Sequence, residues 1–379
     1  MTLRWPRVRL GDVAAHSLGK MLDKAKNKGE LQPYLRNLNV RWFEFDLTDL
    51  LEMRFLRSEV ARYTAQKGDV LVCEGGYPGR AAIWNNDEPI FFQKALHRVR
   101  FREPDHSKWF VYYLYSRHVD GTLKQHFGGT GIQHFTGEAL DAFELPIPPL
   151  SELRRIVDIL DNAFTGLAIA KANAQKNLIN AHALFSAKRH AVFEQRGEGW
   201  VEKTINQLST NLDSQRVPIT KSKRRSGQYP YYGASGIVDY VDDYIFDGPT
   251  LLVSEDGANL LMRSAPIAFS ASGKYWVNNH AHVLRFESMT TQRFVEFYLE
   301  SIDLDEYVTG AAQPKLTQRA LNLIPIPIPE RVDGQAAVIE TIESFATETE
   351  RLESIYQRKL AAVIELERSL LHRAFTGAL

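Results

Sequence analysis

The chain carries one order of sequence motifs twice, and this internal repeat constrains its fold more than any other feature. The motifs that follow Trp5 recur in the same order after Trp200. The matched motifs are "GDVLVCEGG" from Gly68 with "GPTLLVSEDG" from Gly248, "ALHRVRF" with "HAHVLRF", "GTGIQHFT" from Gly129 with "GAAQPKLT" from Gly310, "FELPIP" with "IPIPIP", and "KRHAVF" with "LLHRAF". Such self-similarity predicts two copies of one structural unit.

Each copy has two unlike parts. The first part, over residues 5–149 and 200–329, contains strand-like runs between turn residues and predicts a compact mixed domain. The second part, over 150–195 and 332–376, has almost no Gly or Pro, and its apolar residues are spaced by three and four as in a coiled coil. Two such helices bury both apolar stripes if the second folds back along the first.

We therefore expect an α+β fold with two mixed α/β domains, separated by two long helices that pack as an antiparallel coiled coil, with a pseudo-twofold internal repeat. The expected domain limits are 1–149 and 196–329, with the helices in 150–195 and 330–379.

Composition indicates a soluble globular protein of 379 residues, of which 44% are apolar. No signal peptide or membrane-spanning run is evident in the sequence, which favours a cytoplasmic location without membrane contact. The single cysteine, Cys73, lies in an apolar run and is expected to be a small buried residue. Lys+Arg and Asp+Glu both number 46, and this balance argues against a nucleic-acid binder that ignores sequence.

A local excess of positive charge nevertheless lies in residues 216–233, "RVPITKSKRRSGQYPYYG". Lys and Arg neutralise phosphates, and nearby aromatic rings can stack on bases. The first copy has a weaker lysine-rich equivalent, followed by Pro33-Tyr34-Leu35, which aligns with Pro230-Tyr231-Tyr232. A solvated surface is the alternative interpretation of each run. The candidate DNA-binding residues are Lys20, Lys24, Lys26, Lys28, Tyr34, Arg36, Arg80, His134, Arg216, Lys221, Lys223, Arg224, Arg225, Tyr231, Tyr232, Lys274 and Lys315.

The repeated segments "RVPITKSKRRSGQYPYYGASGIVDYVDDY", "VNNHAHVLRF", "GAAQPKLT", "LPIPPLSELRRIV" and "SLLHRAFTGAL" resemble the specificity subunit of type I restriction-modification enzymes. The resemblance covers nearly the whole chain. It implies two target recognition domains, each reading one half of a bipartite sequence in double-stranded DNA. The paired helices would act as a ruler and as a docking platform for two modification subunits, which restriction subunits would join.

The resemblance also implies that this chain holds no cofactor, because S-adenosylmethionine and ATP belong to the partner subunits. Two departures from the family pattern stand out: "YLRNLNVRW" replaces the "YYGASGI" type of sequence in the first copy, and Leu153 stands where the family usually has Gln.

Searches for an enzyme motif support a non-catalytic role. The sequence contains no Asp-Pro-Pro-Tyr or Asn-Pro-Pro-Tyr segment of an amino-methyltransferase and no GxxxxGK[ST] phosphate loop. We expect no metal at His280 and His282, since His97 matches His282 without the neighbouring His; strand-end packing or a DNA contact is favoured there. Glu74 and Glu255 are interpreted as structural rather than as a general acid or base. A bivalent scaffold that binds proteins, without DNA specificity, remains the alternative function.

Overall fold

The computed structural model describes residues 5–23, 25–310 and 313–379. The chain divides into two compact units. Unit 1 comprises Met1–Ala174 and Arg358–Leu379, and unit 2 comprises Gln175–Gln357. In the described ranges, no helix is long and apolar enough to cross a membrane.

The regular elements of the first half of the chain are short strands and four short or medium helices, followed by one long helix. The strands are β1 Arg7–Arg9, β2 Ala14–Leu18, β3 Glu30–Leu35, β4 Leu51–Phe55, β5 Thr64–Ala65, β6 Val70–Cys73, β7 Ala81–Ile83, β8 Ile90–Phe92, β9 Leu96–Phe101 and β10 Glu144–Pro146. The helices are α1 Leu10–Val13, α2 Val60–Tyr63, α3 His106–Val119, α4 Gly137–Asp141 and α5 Leu150–Glu194.

The second half of the chain has a closely similar series of elements. The strands are β11 Trp200–Thr204, β12 Ser209–Asn211, β13 Ser226–Gly233, β14 Gly236–Val241, β15 Phe246–Asp247, β16 Thr250–Ser254, β17 Ala268–Ala271, β18 Lys274–Val277, β19 Ala281–Phe286, β20 Val308–Thr309, β21 Lys315–Leu316 and β22 Pro325–Pro329. The helices are α6 Ile205–Leu208, α7 Asn259–Met262, α8 Met289–Ser301, α9 Gln318–Leu323 and α10 Val332–Thr376.

Strand order shows that the two units repeat one topology, as the sequence predicts. Sheet β2-β9-β6-β7 of unit 1 corresponds to β12-β19-β16-β17 of unit 2, and β4-β3-β8-β5 corresponds to β14-β13-β18-β15. The otherwise antiparallel sheets share one parallel pairing, which joins Tyr34 with Phe91 in unit 1 and Tyr231 with Trp276 in unit 2. The alignment of Tyr34 with Tyr231 is therefore a structural equivalence.

The proline-rich segments are extended, as expected from residues that fix φ and lack a backbone donor. Strand β10 pairs with β1, and β22 pairs with β11. The segments end at the start of α5 and α10. Each exposes a carbonyl to the protein interior, where the Trp109 indole donates to Pro146 O at 2.6 Å and the Gln335 amide donates to Pro329 O at 2.9 Å.

An aromatic group that recurs in both units anchors the long helices. In unit 1, Trp109 contacts Trp5 and Phe375, with ring centroids 5.8 and 4.6 Å apart, and Tyr113 lies 5.1 Å from Phe375. Phe375 lies near the end of α10, and its buried ring shares a core with Leu153 of α5.

In unit 2, Phe294 contacts Trp200 and Phe193 at 5.9 and 5.4 Å, and Tyr298 lies 5.3 Å from Phe193. Phe193 lies at the end of α5. This group repeats the unit 1 arrangement, with Phe193 in the place of Phe375.

The two long helices run antiparallel inside each unit. In unit 2, His182 of α5 lies 3.0 Å from Glu353 of α10, and Lys188 lies over the Phe345 ring at 5.8 Å. The partner's number falls as the α5 number rises, which defines opposite directions. In unit 1, Arg155 near the start of α5 donates to the carbonyl of Leu379, just beyond the end of α10. The predicted pair of antiparallel helices is confirmed.

Candidate nucleic-acid interface

The basic segment of unit 2 divides into paired and unpaired cations. Arg216 is largely buried, with its guanidinium 2.7 Å from Glu255 and 3.5 Å from Asp213. Arg224 pairs with Asp239 at 3.1 Å and lies over the Tyr231 ring at 4.3 Å. These two arginines therefore carry little net charge to the surface.

Lys221, Lys223 and Arg225 are the exposed cations of this segment. Lys221–Lys223 form a single 3-10 turn just before β13. Among the residues that the structure describes, none of the three forms an ion pair with an acid. They remain available for phosphate oxygens.

Tyr231 stabilises the backbone of this segment through its hydroxyl group. Tyr231 is only 1% exposed, and its hydroxyl accepts from the Ile219 amide at 3.1 Å and lies 3.3 Å from the Ile219 carbonyl. Tyr34, its equivalent in unit 1, is also 1% exposed, and burial raises the pKa of its phenol. Neither ring is open to a base in this conformation, whereas Tyr232 is half-buried and packs against Phe269.

Lys274 lies in a small aromatic group of unit 2. Its ammonium is 4.5 Å from the Tyr244 ring, which is itself 5.1 Å from the Tyr229 ring. The segment that precedes Tyr244 contacts the basic segment of residues 216–233, because the Asp242 amide donates to the Arg225 carbonyl. Exposed Lys274 thus belongs to the surface region of the unpaired cations.

In unit 1, most of the described cations that are candidates for DNA binding already form ion pairs or hydrogen bonds within the protein. Lys20 is 7% exposed, with its ammonium 2.6 Å from Glu59 and 2.9 Å from the Arg54 carbonyl. Arg36 pairs with Asp49 at 2.7 Å, and Arg80 stacks on Tyr77 and donates to the Asn37 carbonyl.

Lys26 and Lys28 are exposed, and Lys26 lies 3.6 Å from Asp23. His134 is half-buried. Lys24 lies outside the described residues. Within its described residues, the first copy therefore has fewer unpaired cations than its sequence suggests.

An ion-pair cluster of five residues lies at the strand ends of unit 2: Asp213, Arg216, Glu255, His282 and Lys315. Glu255 contacts Arg216 at 2.7 Å and Lys315 at 3.0 Å, and His282 Nδ1 lies 2.5 Å from Asp213. Burial opposes ionisation of Asp213, but the hydrogen bond and charge of His282 lower its pKa overall. Burial likewise opposes ionisation of Glu255, whose pKa is nevertheless lowered by hydrogen bonds from Arg216 and Lys315.

This cluster also contains a set of donors that a metal could use. Oxygen or nitrogen atoms of Asp213, Glu255 and His282 all lie within 4.8 Å of one another. Arg216 and Lys315 already occupy the Glu255 oxygens, and a divalent cation would have to displace both against like-charge repulsion. The donor set is that of a neutralised ion-pair cluster.

The sequence pattern indicates Glu255 and His282 separately and does not reveal Asp213, which contacts His282 and Arg216. The available signal was the spacing of three between Asp213 and Arg216, typical of one local turn. The Cys73 prediction is confirmed: the thiol is buried, and burial raises its pKa to about 12. His282 and His97 are likewise buried on central strands.

Comparison with known proteins assigns the family. Two units of one topology, each with cations at its surface, match a model described as the type I restriction modification DNA specificity domain, over residues 3–181 and 197–358. The chain belongs to this family of DNA specificity domains.

Two curated relatives are similar over part of their length. A Haemophilus influenzae protein that carries the name type I restriction enzyme specificity subunit S.HindORF215P is 34% identical over 147 residues, which are 39% of this chain and 37% of the relative. The Escherichia coli type I restriction enzyme EcoprrI specificity subunit is 26% identical over 172 residues, 43% of this chain and 42% of the relative. The chain thus matches about two fifths of each relative's length.

Solved structures share the fold over the whole chain. A chain from a structure of the type I R-M system, which describes complex assembly and conformational transition, aligns over 100% of both chains with a TM-score of 0.81 and 16% identity. The HsdS subunit from Thermoanaerobacter tengcongensis aligns over 99% of this chain and 97% of its own, with a TM-score of 0.63 and 17% identity. At these identities the likeness concerns the fold alone.

Proposed function

We propose that the chain is the DNA-recognition subunit of a type I restriction-modification complex, and that each unit reads one half of a bipartite target. The observation that carries the proposal is the double match of a DNA specificity domain to two units of one topology. Two similar surfaces in one chain suit a target made of two half-sites. The proposed recognition domains are residues 1–149 and 196–329, with the long helices as spacers.

The exposed cations support phosphate binding by these domains. Lys221, Lys223 and Arg225 in unit 2, with Lys26 and Lys28 in unit 1, can neutralise backbone charge and fix the register on the duplex. Reading of bases then falls to polar side chains near the strand ends, where Lys315 is half-exposed beside Glu255.

The partners follow from the family as part of the same proposal. Two modification subunits would dock on the paired helices, and restriction subunits would join them in the cytoplasm. S-adenosylmethionine and ATP would bind those partner subunits, and the chain itself would direct adenine methylation or cleavage without catalysing either.

Sequencing of methylated adenines in the genome tests the proposal. Cells that carry the gene should methylate a bipartite motif, two short specific halves around a fixed unspecific spacer, that cells lacking the gene leave unmodified. The matched control restores the gene on a plasmid and should restore the same motif. A methylation pattern that is identical with and without the gene would contradict the proposal.

A further inference from the structure

Each unit contains a buried histidine that bonds to the main chain of a distant loop. His97 on β9 is 2% exposed, and its Nε2 lies 3.1 Å from the Phe135 carbonyl. His282 on β19 is 1% exposed, and its Nε2 lies 2.8 Å from the Leu316 carbonyl. A carbonyl oxygen can only accept, so Nε2 donates in both cases.

The loop residue that accepts this bond is held from its other side as well. The Phe135 amide donates to the Glu74 carbonyl at 2.7 Å, and the Leu316 amide donates to the Glu255 carbonyl at 2.8 Å. The next residue caps a short helix in each unit, since the side chain of Thr136 or Thr317 accepts from the amide three residues later. Three hydrogen bonds therefore fix the loop: one to the carbonyl of Phe135 or Leu316, one from the amide of the same residue, and one to the side chain of the threonine that follows.

The residue just before Phe135 in unit 1 is His134, and the residue just before Leu316 in unit 2 is Lys315. His134 exchanges two main-chain hydrogen bonds with Gly128, and Lys315 pairs with Thr309. Both are half-exposed polar residues at equivalent positions. Their main-chain atoms are fixed, so their side chains reach the surface from a defined origin.

We infer that His97 and His282 are positioning residues: each fixes the loop that presents His134 or Lys315 to the DNA, so each unit's reading of its half-site depends on its own histidine. The inference rests on the proposed function and assigns to these two buried residues a part in sequence discrimination.

The second nitrogen of each ring distinguishes the two units. His282 Nδ1 lies 2.5 Å from the Asp213 carboxylate, so both of its ring nitrogens face oxygen acceptors. His97 Nδ1 has no hydrogen-bond partner among the described residues. In unit 1, Leu18 of β2 pairs with His97 of β9. If the pairing of β12 with β19 is continued two residues beyond Asn211, Asp213 falls opposite His282. Leu18 and Asp213 therefore occupy equivalent positions. One ring nitrogen has a hydrogen-bond partner in unit 1, whereas both have one in unit 2.

Glutamine variants separate these two roles. The Gln amide can donate to the loop carbonyl in place of Nε2, but it does not also reach Asp213 as the His282 Nδ1 does. We expect His97→Gln to preserve discrimination and His282→Gln to preserve it only in part. Leucine variants remove the donor and should lower discrimination in one half of the motif by roughly tenfold, the effect of leaving a buried carbonyl without its partner.

The test is a selection from a randomised duplex library with the full chain, purified together with the subunits that co-purify, followed by sequencing of the retained duplexes. The wild-type chain should select a bipartite motif, His282→Leu should weaken base preference in one half, and His97→Leu should weaken it in the other. Thermal unfolding of every variant shows whether the chain still folds. If a leucine variant does not fold, the asparagine variant at the same position decides by its effect on the same half, because the shorter Asn amide is polar but does not reach the carbonyl that Nε2 bonds.

Two outcomes overturn the positioning role. One is a folded His282→Leu or His97→Leu variant with both halves unchanged, and the other is an equal loss in both halves from either single variant. A wild-type chain that selects no motif would overturn the proposed function itself, so the two failures are distinguishable.

Discussion

Units 1 and 2 share their strand order but differ in the polar side chains that stabilise equivalent points. The fourth residue of the long helix is apolar Leu153 in unit 1, whereas in unit 2 it is Gln335, whose amide donates to the Pro329 carbonyl. Lys20 and Arg36 of unit 1 are engaged by acids, whereas Lys221, Lys223 and Arg225 of unit 2 remain exposed. The apolar core therefore defines this fold, while the polar side chains at equivalent positions differ between the two units.

The largest loss of stability is expected from the aromatic group that both units share. Phe375→Ala and Phe193→Ala each remove a buried ring, 3% and 4% exposed, that packs against two aromatic residues. Each should lower the free energy of unfolding of its own unit by about 3 to 5 kcal/mol. Hydrogen exchange with mass spectrometry reports protection for each unit separately. A loss of protection confined to the other unit would contradict the equivalence of the two rings.

Acid should destabilise unit 1 through His97. Burial is the largest cause that lowers the pKa of this ring, to about 4 from an ordinary value of 6.5, and nearby His16 adds to the effect. The unfolded chain binds the proton more tightly, so stability is complete above about pH 6.5 and is lost as the pH falls toward 4.

This loss should reach about 3 kcal/mol at pH 4 relative to pH 7. His97→Gln cannot titrate and should flatten the stability of unit 1 over this range, measured as the difference from the wild type by hydrogen exchange. Identical pH dependence in both proteins would show that His97 does not titrate as the structure indicates.

The fourth residue of each long helix, Leu153 in α5 and Gln335 in α10, can be exchanged between the two units. Gln335 is 5% exposed, donates to Pro329 and accepts from the Thr291 hydroxyl, whereas Leu153 at the equivalent place is packed in an apolar core. Gln335→Leu should cost about 1 to 3 kcal/mol because it leaves the buried Pro329 carbonyl and the half-buried Thr291 hydroxyl without this partner. Leu153→Gln is the reciprocal control and should also destabilise. Denaturant unfolding measures both, and an unaffected Gln335→Leu variant would refute the role of this amide.

The smallest effect concerns individual cations that bind phosphate. Lys223→Ala with Arg225→Ala should weaken DNA binding and flatten the dependence of log affinity on log salt, by up to about one unit for each phosphate that is no longer neutralised. Gel shifts at several salt concentrations give the slope. Lys171→Ala with Lys176→Ala, on exposed positions of α5, is the matched control and should leave the slope unchanged. Equal slopes for the basic-loop variant and the wild type would remove this loop from the interface.

The sequence predicts the parts of this fold that rest on local periodicity. The spacing of apolar residues in α5 and α10 and the repeated motif order are visible without coordinates, because a helix face and a duplication both have a fixed period. Pairing across long separations has no such signal. Lys20 and Glu59 are 39 residues apart, and Asp213 and His282 are 69 apart, so their ion pairs follow only from the tertiary fold.

For the same reason the candidate site was only partly predictable. A run of cations in sequence does not reveal which of its members meet an acid, and the structure divides one run into paired Arg216 and Arg224 and exposed Lys221, Lys223 and Arg225. Burial of Tyr34 and Tyr231 was equally hidden, since a tyrosine beside lysines can either stack on a base or support the loop backbone.

If each unit reads its own half of a bipartite target, an exchange of one unit's recognition segment should alter only that half. Residues 200–329 would be replaced by the matching segment of another family member, and methylated adenines would be mapped by sequencing in cells that carry the hybrid. We expect a motif in which one half changes to the donor's sequence while the other half is retained. A change in both halves, or in neither with the hybrid still active, would contradict the claim.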